Sequence, residues 1–211
     1  MSFVNLHCIS HRSRVNRYLL FCPGALLGCQ QFSALFEFAV VCLTELNGEV
    51  ESTRAILIFL AQLVGWRQVR LGEEKMATLS RHSNTIDNLL ARFGENITLC
   101  CLKALAGGAP QSTWPAYSDC LFSIILQVIT SAPSSVADPN SSLNAWLGAA
   151  MADVSTRHVT REVTLTVIRA LLEMIAAEGV RAKQKAKLCL TDFGRIAKGE
   201  ATPEVLLAYA A

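Results

Sequence analysis

Adjacent cysteines are the residues of this chain that most invite a chemical reading. Cys100 and Cys101 stand in the run LARFGENITLCCLKALAGGAPQS, from Leu90 to Ser112, and a thiol attacks or binds metal only as its thiolate. Neighbouring positions on a helix point about 100° apart, so the two cannot readily bridge each other. No lysine or histidine stands in the run just before them to lower a thiol pKa, and Lys103, two positions beyond Cys101, points largely elsewhere. The expectation is a packing role. His7, Cys8, His11, Cys22 and Cys29 hold enough nitrogen and sulfur for a metal, yet their spacing matches no tetrahedral zinc pattern and much of the chain between them is apolar. No metal site and no cofactor are expected.

Catalytic constellations are missing from the sequence in the same way. It holds no G-x-S-x-G elbow, no glycine-rich phosphate loop and no H-E-x-x-H helix, the patterns that place a nucleophile, a phosphate or a zinc-bound water. Single acids such as Asp119 and Glu173 are expected to cap, pair or be solvated, and the chain is not expected to be an enzyme. The stretch RAKQKAK puts Arg181 over Lys185 and Lys183 over Lys187 at i, i+4 spacing. That stripe could meet an acidic partner or RNA, but it has no interleaved aromatics and reads first as a solvated face. Nucleic acid is not an expected partner. Trp114, Tyr117 and Trp146 could anchor an interface, where aromatics are enriched, although burial between helices is the simpler expectation.

The elements that must carry these residues are helical. Apolar residues make up 52% of the chain and charged ones 17%, against about a quarter in an average domain, which points to helices buried on more than one side. Net charge is +2, too small to imply a polyanionic partner. The longest apolar runs, AILIFLAQLVGW from Ala55 and CLFSIILQVI from Cys120, are shorter than the roughly 20 residues that span a bilayer, so no membrane insertion is expected. Arginines ahead of YLLFCPGALLGC resemble a secretory leader, but Pro23 and Gly24 interrupt that segment. The cysteines, without any C-x-x-C pair, fit a reduced compartment.

Periodicity predicts helices over Ser33 to Leu46 and Glu49 to Val64, joined at Asn47-Gly48. A connector with a short helix at Met76 to Arg81 follows. A helix from Thr85 to Ala106, bent at Gly94, ends at Gly107-Gly108, where glycine supplies left-handed geometry. The next begins at Pro115 and runs to Ser131. After the loop SAPSSVADPNSS come helices at Ser142 to Asp153, Thr160 to Glu178 and Val180 to Ala197, then a short packed tail. Two similar hairpins followed by more helices imply units stacked side by side, each covering its neighbour's apolar face.

On these residues a family resemblance rests. LARFGENITLCCLKALAGGAPQS followed by YSDCLFSIIL resembles the near-C-terminal helices of importin-beta-type nuclear transport receptors, in the importin-13 and transportin-3 branch. Tyr117, Asp119, Leu121 and Phe122 carry the core of the second helix, and Trp146-Leu147 and the basic penultimate helix follow in the same order. The resemblance covers Cys29 to Ala211 and is most specific over Asn88 to Leu126, while Met1 to Gly28 does not match.

The resemblance implies an all-α fold of stacked antiparallel helix hairpins, a fragment of a HEAT/ARM-type α-solenoid. It has an unmatched segment at 1–28, expected to be poorly ordered, and a repeat domain at 29–211. It also implies cargo binding and shuttling between cytoplasm and nucleus, with the GTPase Ran in control and nucleoporins as further partners if the chain is part of a longer receptor. In that family the Ran-binding repeats are chiefly N-terminal, and nothing in this chain corresponds to them. If upstream repeats are missing, an exposed end face is expected around Ser33. The second helix of each hairpin would hold cargo, which makes Arg54, Gln62, Asp119 and Gln127 the expected contact residues. The alternative is an autonomous helical-repeat scaffold or adaptor without Ran-dependent transport. A small exported or lipid-anchored helical protein is a further rival, favoured only if Cys29 is a modified mature N-terminus.

Overall fold

A computed structural model describes residues 17–45, 49–68, 72–136, 138, 141–154, 156 and 158–209 of the chain. The fold is all-α, with no strand among the described residues. Residues 1–16, which include His7, Cys8, His11, Arg12 and Arg14, lie outside the described residues. Residues 17–21 are helical, and Pro23 then opens the short α1 (Pro23–Leu27). Leu19 and Leu27 are buried in the same core as Phe32, so packing crosses the boundary drawn between residues 28 and 29.

Apolar spacing converts directly into the first hairpin. Helix α2 (Phe32–Glu45) buries Phe32, Phe36, Ala39, Val40 and Leu43, one stripe at i, i+4, i+7, i+8 and i+11. Helix α3 (Val50–Val64) has Glu51 in its first turn, at the positive end of the helix dipole, and buries Ile56, Leu57, Phe59, Leu60 and Leu63. The connector helix α4 (Glu73–Arg81) is longer than expected, because Glu73 and Glu74 themselves form its first turn.

The second hairpin pairs α5 (Ser83–Lys103) with α6 (Trp114–Ser131). Gly107 turns the corner at φ +107°, a backbone region that side chains with a Cβ rarely adopt. A Cβ on Gly108 would sit 2.8 Å from the Lys103 carbonyl oxygen, so both glycines are required there. Gly94 does not bend α5, whose helix runs unbroken through it. A Cβ at that position would lie 2.4 Å from the Trp146 ring, and the glycine instead makes room for a neighbouring helix.

That neighbour is α7 (Ser142–Asp153), capped by the Ser141 side chain on the Asn144 N–H. It lies along α5 and is no half of a hairpin, since α8 (Arg161–Glu178) pairs with α9 (Lys183–Ala197). Thr160 caps α8 through the Val163 N–H at 3.3 Å. Helix α9 starts later than Val180, because Gly179 at φ +59° and the tight turn Gly179–Ala182 intervene. The tail Pro203–Tyr209 packs back on α8 and α9 through Leu206, and Tyr209 Oη donates to Asp192 at 2.8 Å.

The result is two layers. Helices α3, α6 and α9 lie side by side in one, while α2, α5 and α7 occupy the other with α8 packed against α6, α7 and α9. Central α6 is buried almost all round, including Trp114, Tyr117, Cys120, Leu121 and Phe122. At the outer side of α2, Phe38 and Val41 are more than half exposed. No described helix is long and apolar enough to cross a membrane.

Candidate partner-binding groove

The layer of second helices carries a groove of about 520 Å³ on its free face. Its floor is apolar: Leu57, Ile58 and Ala61 come from α3, Ala116 and Phe122 from α6, and Val180 from the turn before α9. Ile58 is 39% exposed and Val180 50%, although both belong to segments whose other apolar residues are mostly buried. Such residues lose water contact only if something docks over them.

The polar walls are held in place by contacts between elements. Arg54 of α3 donates through Nη2 to the Ser112 carbonyl oxygen at 2.9 Å, which ties it to the loop before α6. Its other contact, Glu51 at 3.8 Å, is an exposed i, i+3 pair that contributes little. Asp119 of α6 receives two ammonium groups from α9, Lys183 at 3.1 Å from Oδ1 and Lys187 at 3.1 Å from Oδ2. The carboxylate therefore spans the α6–α9 seam, which is why lysines at i and i+4 stand where they do. Lys185 points away to Glu178. The stripe is a largely solvated face, as expected, in which Lys183, Lys185 and Lys187 each also pair with a carboxylate of this chain. Gln62 lines the groove with its Oε1 buried and without a hydrogen-bond partner.

Three of the four expected contact residues, Arg54, Gln62 and Asp119, line this one groove. Gln127 does not. It is 1% exposed and its Nε2 donates to Asp87 Oδ1 at 3.2 Å and Ser131 Oγ at 3.1 Å. Arg67 grips the same carboxylate with both guanidinium arms, at 3.3 and 3.2 Å. Gln127 is polar because it belongs to a clip joining the end of α3 to α5 and α6. Its predicted outward orientation is corrected accordingly. Sequence reasoning overlooked Ile58, Ser112 and Val180 as groove residues. Nothing in apolar spacing separates an exposed Ile58 from its buried neighbours, whereas Lys183 was visible as part of the basic stripe.

The cysteines play no part in the groove. Cys22 and Cys29 are exposed, and Cys42, Cys100, Cys101, Cys120 and Cys189 are buried. Burial pushes the Cys100 and Cys189 thiols up to about 12, and a hydrogen bond with Cys120, reinforced by burial, drives Cys101 well above the ordinary range. Such thiols stay protonated and pack as small hydrophobes. Trp114, Tyr117 and Trp146 are also interior, at 2%, 0% and 6% exposure. Among the described residues no group of histidine, cysteine and carboxylate side chains is arranged to hold a metal ion. No protein-family model, no curated protein and no solved structure matches the chain.

Proposed function

We propose that this chain is a protein-binding module, the cargo-binding region of an importin-beta-type nuclear transport receptor. It holds a polypeptide in the groove between α3, α6 and α9 and passes between cytoplasm and nucleus with it. One observation carries the reading: exposed Ile58 and Val180 line the same groove as Arg54, Asp119 and Lys183. An apolar floor with a charged rim is how protein interfaces are built. The second-helix layer of a stacked-hairpin protein is also the extended surface such proteins offer to partners. The titratable groups of the lining are Arg54, Asp119 and Lys183, suited to anchoring a partner and paired with no thiol or imidazole in the lining.

The test is site-specific photocrosslinking in cell extract, with a photoreactive residue in place of Ile58 and a control at exposed Glu173 on α8. The expected result is polypeptide adducts at position 58 and not at 173, with adducted proteins that reside in the nucleus among them. Equal adducts at both positions would remove the groove as the binding surface. Adducts at 58 only with proteins that stay in the cytoplasm would favour the autonomous scaffold over the transport receptor.

A further inference from the structure

We infer that the groove is selective for an acidic peptide segment that carries a large aliphatic anchor. The inference rests on the protein-binding reading above and adds the chemistry of the partner. Three observations define the occupant. First, the groove is lined by the cations Arg54 and Lys183 and by one carboxylate, Asp119, whose charge is already shared between Lys183 and Lys187. The local field is therefore positive although the chain is almost neutral overall, and low-dielectric walls focus such a field on a bound anion. A carboxylate on the partner pairs with the Arg54 guanidinium, whose acidic neighbour Glu51, at 3.8 Å and largely exposed, competes only weakly. Guanidinium and carboxylate match in geometry as well as charge.

Second, Ile58 and Val180 offer an apolar seat between those cations, so a purely polar anion leaves them in water. Third, Gln62 lines the groove with its Oε1 buried and without a donor, and turning its side-chain amide toward a docked peptide lets that oxygen accept a backbone N–H. Among the groove's aromatic and charged lining, Phe122 is only 1% exposed, so it presents no open ring face for base stacking, on which single-stranded nucleic acid binding depends. Peptide is thereby favoured over RNA.

The experiment is fluorescence anisotropy on the intact chain with three labelled peptides: one of leucine and glutamate at helical spacing, its lysine-for-glutamate counterpart, and its serine-for-leucine counterpart. The acidic leucine peptide is expected to bind at least about tenfold more tightly than either of the others, with the advantage shrinking as salt rises. Arg54→Glu and the double variant Arg54→Glu/Lys183→Glu are expected to reverse the charge preference. Ile58→Ser is expected to weaken binding without altering it. Arg54→Glu changes one partly exposed side chain, so it serves even if the double variant fails to fold. Failure of all three peptides to bind, equal binding of the acidic and basic peptides, or insensitivity to Ile58→Ser would overturn the inference. Preference for the basic peptide would overturn it while leaving the groove a docking surface.

Discussion

Gly94 illustrates how one residue can be read correctly as unusual and wrongly as to cause. An interior glycine costs a helix about 1 kcal/mol relative to alanine, so a bend was the natural expectation, yet α5 is continuous and the missing Cβ is filled by the Trp146 ring. Gly94→Ala should therefore destabilise the protein by about 1–3 kcal/mol despite the better helix propensity, because overpacking outweighs it. Urea denaturation measures this, and combining Gly94→Ala with Trp146→Leu should cost less than the two single changes added together. Gly194 against Trp114, where a Cβ would come within 2.7 Å, obeys the same logic. Both close approaches lie between helices, and neither partner is predictable from local sequence.

At the scale of elements, polar side chains divide into those that join helices and those left for a partner. The Arg67–Asp87–Gln127–Ser131 set ties three segments together, and Asp119 with Lys183 and Lys187 ties α6 to α9. Gln127→Ala removes two hydrogen bonds from a buried site and is expected to cost about 1–2 kcal/mol in urea denaturation. Binding of the acidic leucine peptide should not change, which separates this clip from the groove. Most of the element pattern was legible in sequence, since every long helix followed from apolar spacing, acidic first turns, Pro at helix starts and Gly at helix ends. Helix α4 and the late start of α9 were misjudged because short segments carry too few periodic positions to locate their ends.

For the molecule as a whole, the core makes a statement about pH. Cys100 and Cys189 have thiols near 12 in the fold and 9 in the reference state. As pH rises past 9 the unfolded chain releases these protons first, so stability that is complete below pH 9 is lost progressively up to about 12. The melting temperature should therefore fall on the alkaline side, and Cys100→Ala should make that fall shallower. In the same sense, alkylation at about pH 8 should modify Cys22 and Cys29 and spare Cys100 and Cys189, whose thiolate fraction is then roughly one in ten thousand.

Composition and periodicity by themselves determined the helical class, the hairpin order and the inertness expected of the adjacent cysteines, because helix formation and apolar burial are read from spacing along the chain. Only the tertiary structure decided that Arg54, Gln62 and Asp119 share a groove while Gln127 turns inward. It likewise decided that α7 lies along α5 outside any hairpin and that Asp119 takes two of the three lysines of the basic stripe, Lys183 and Lys187. These facts depend on which helices become neighbours across long stretches of sequence, and the free energy that selects neighbours is summed over whole packed faces.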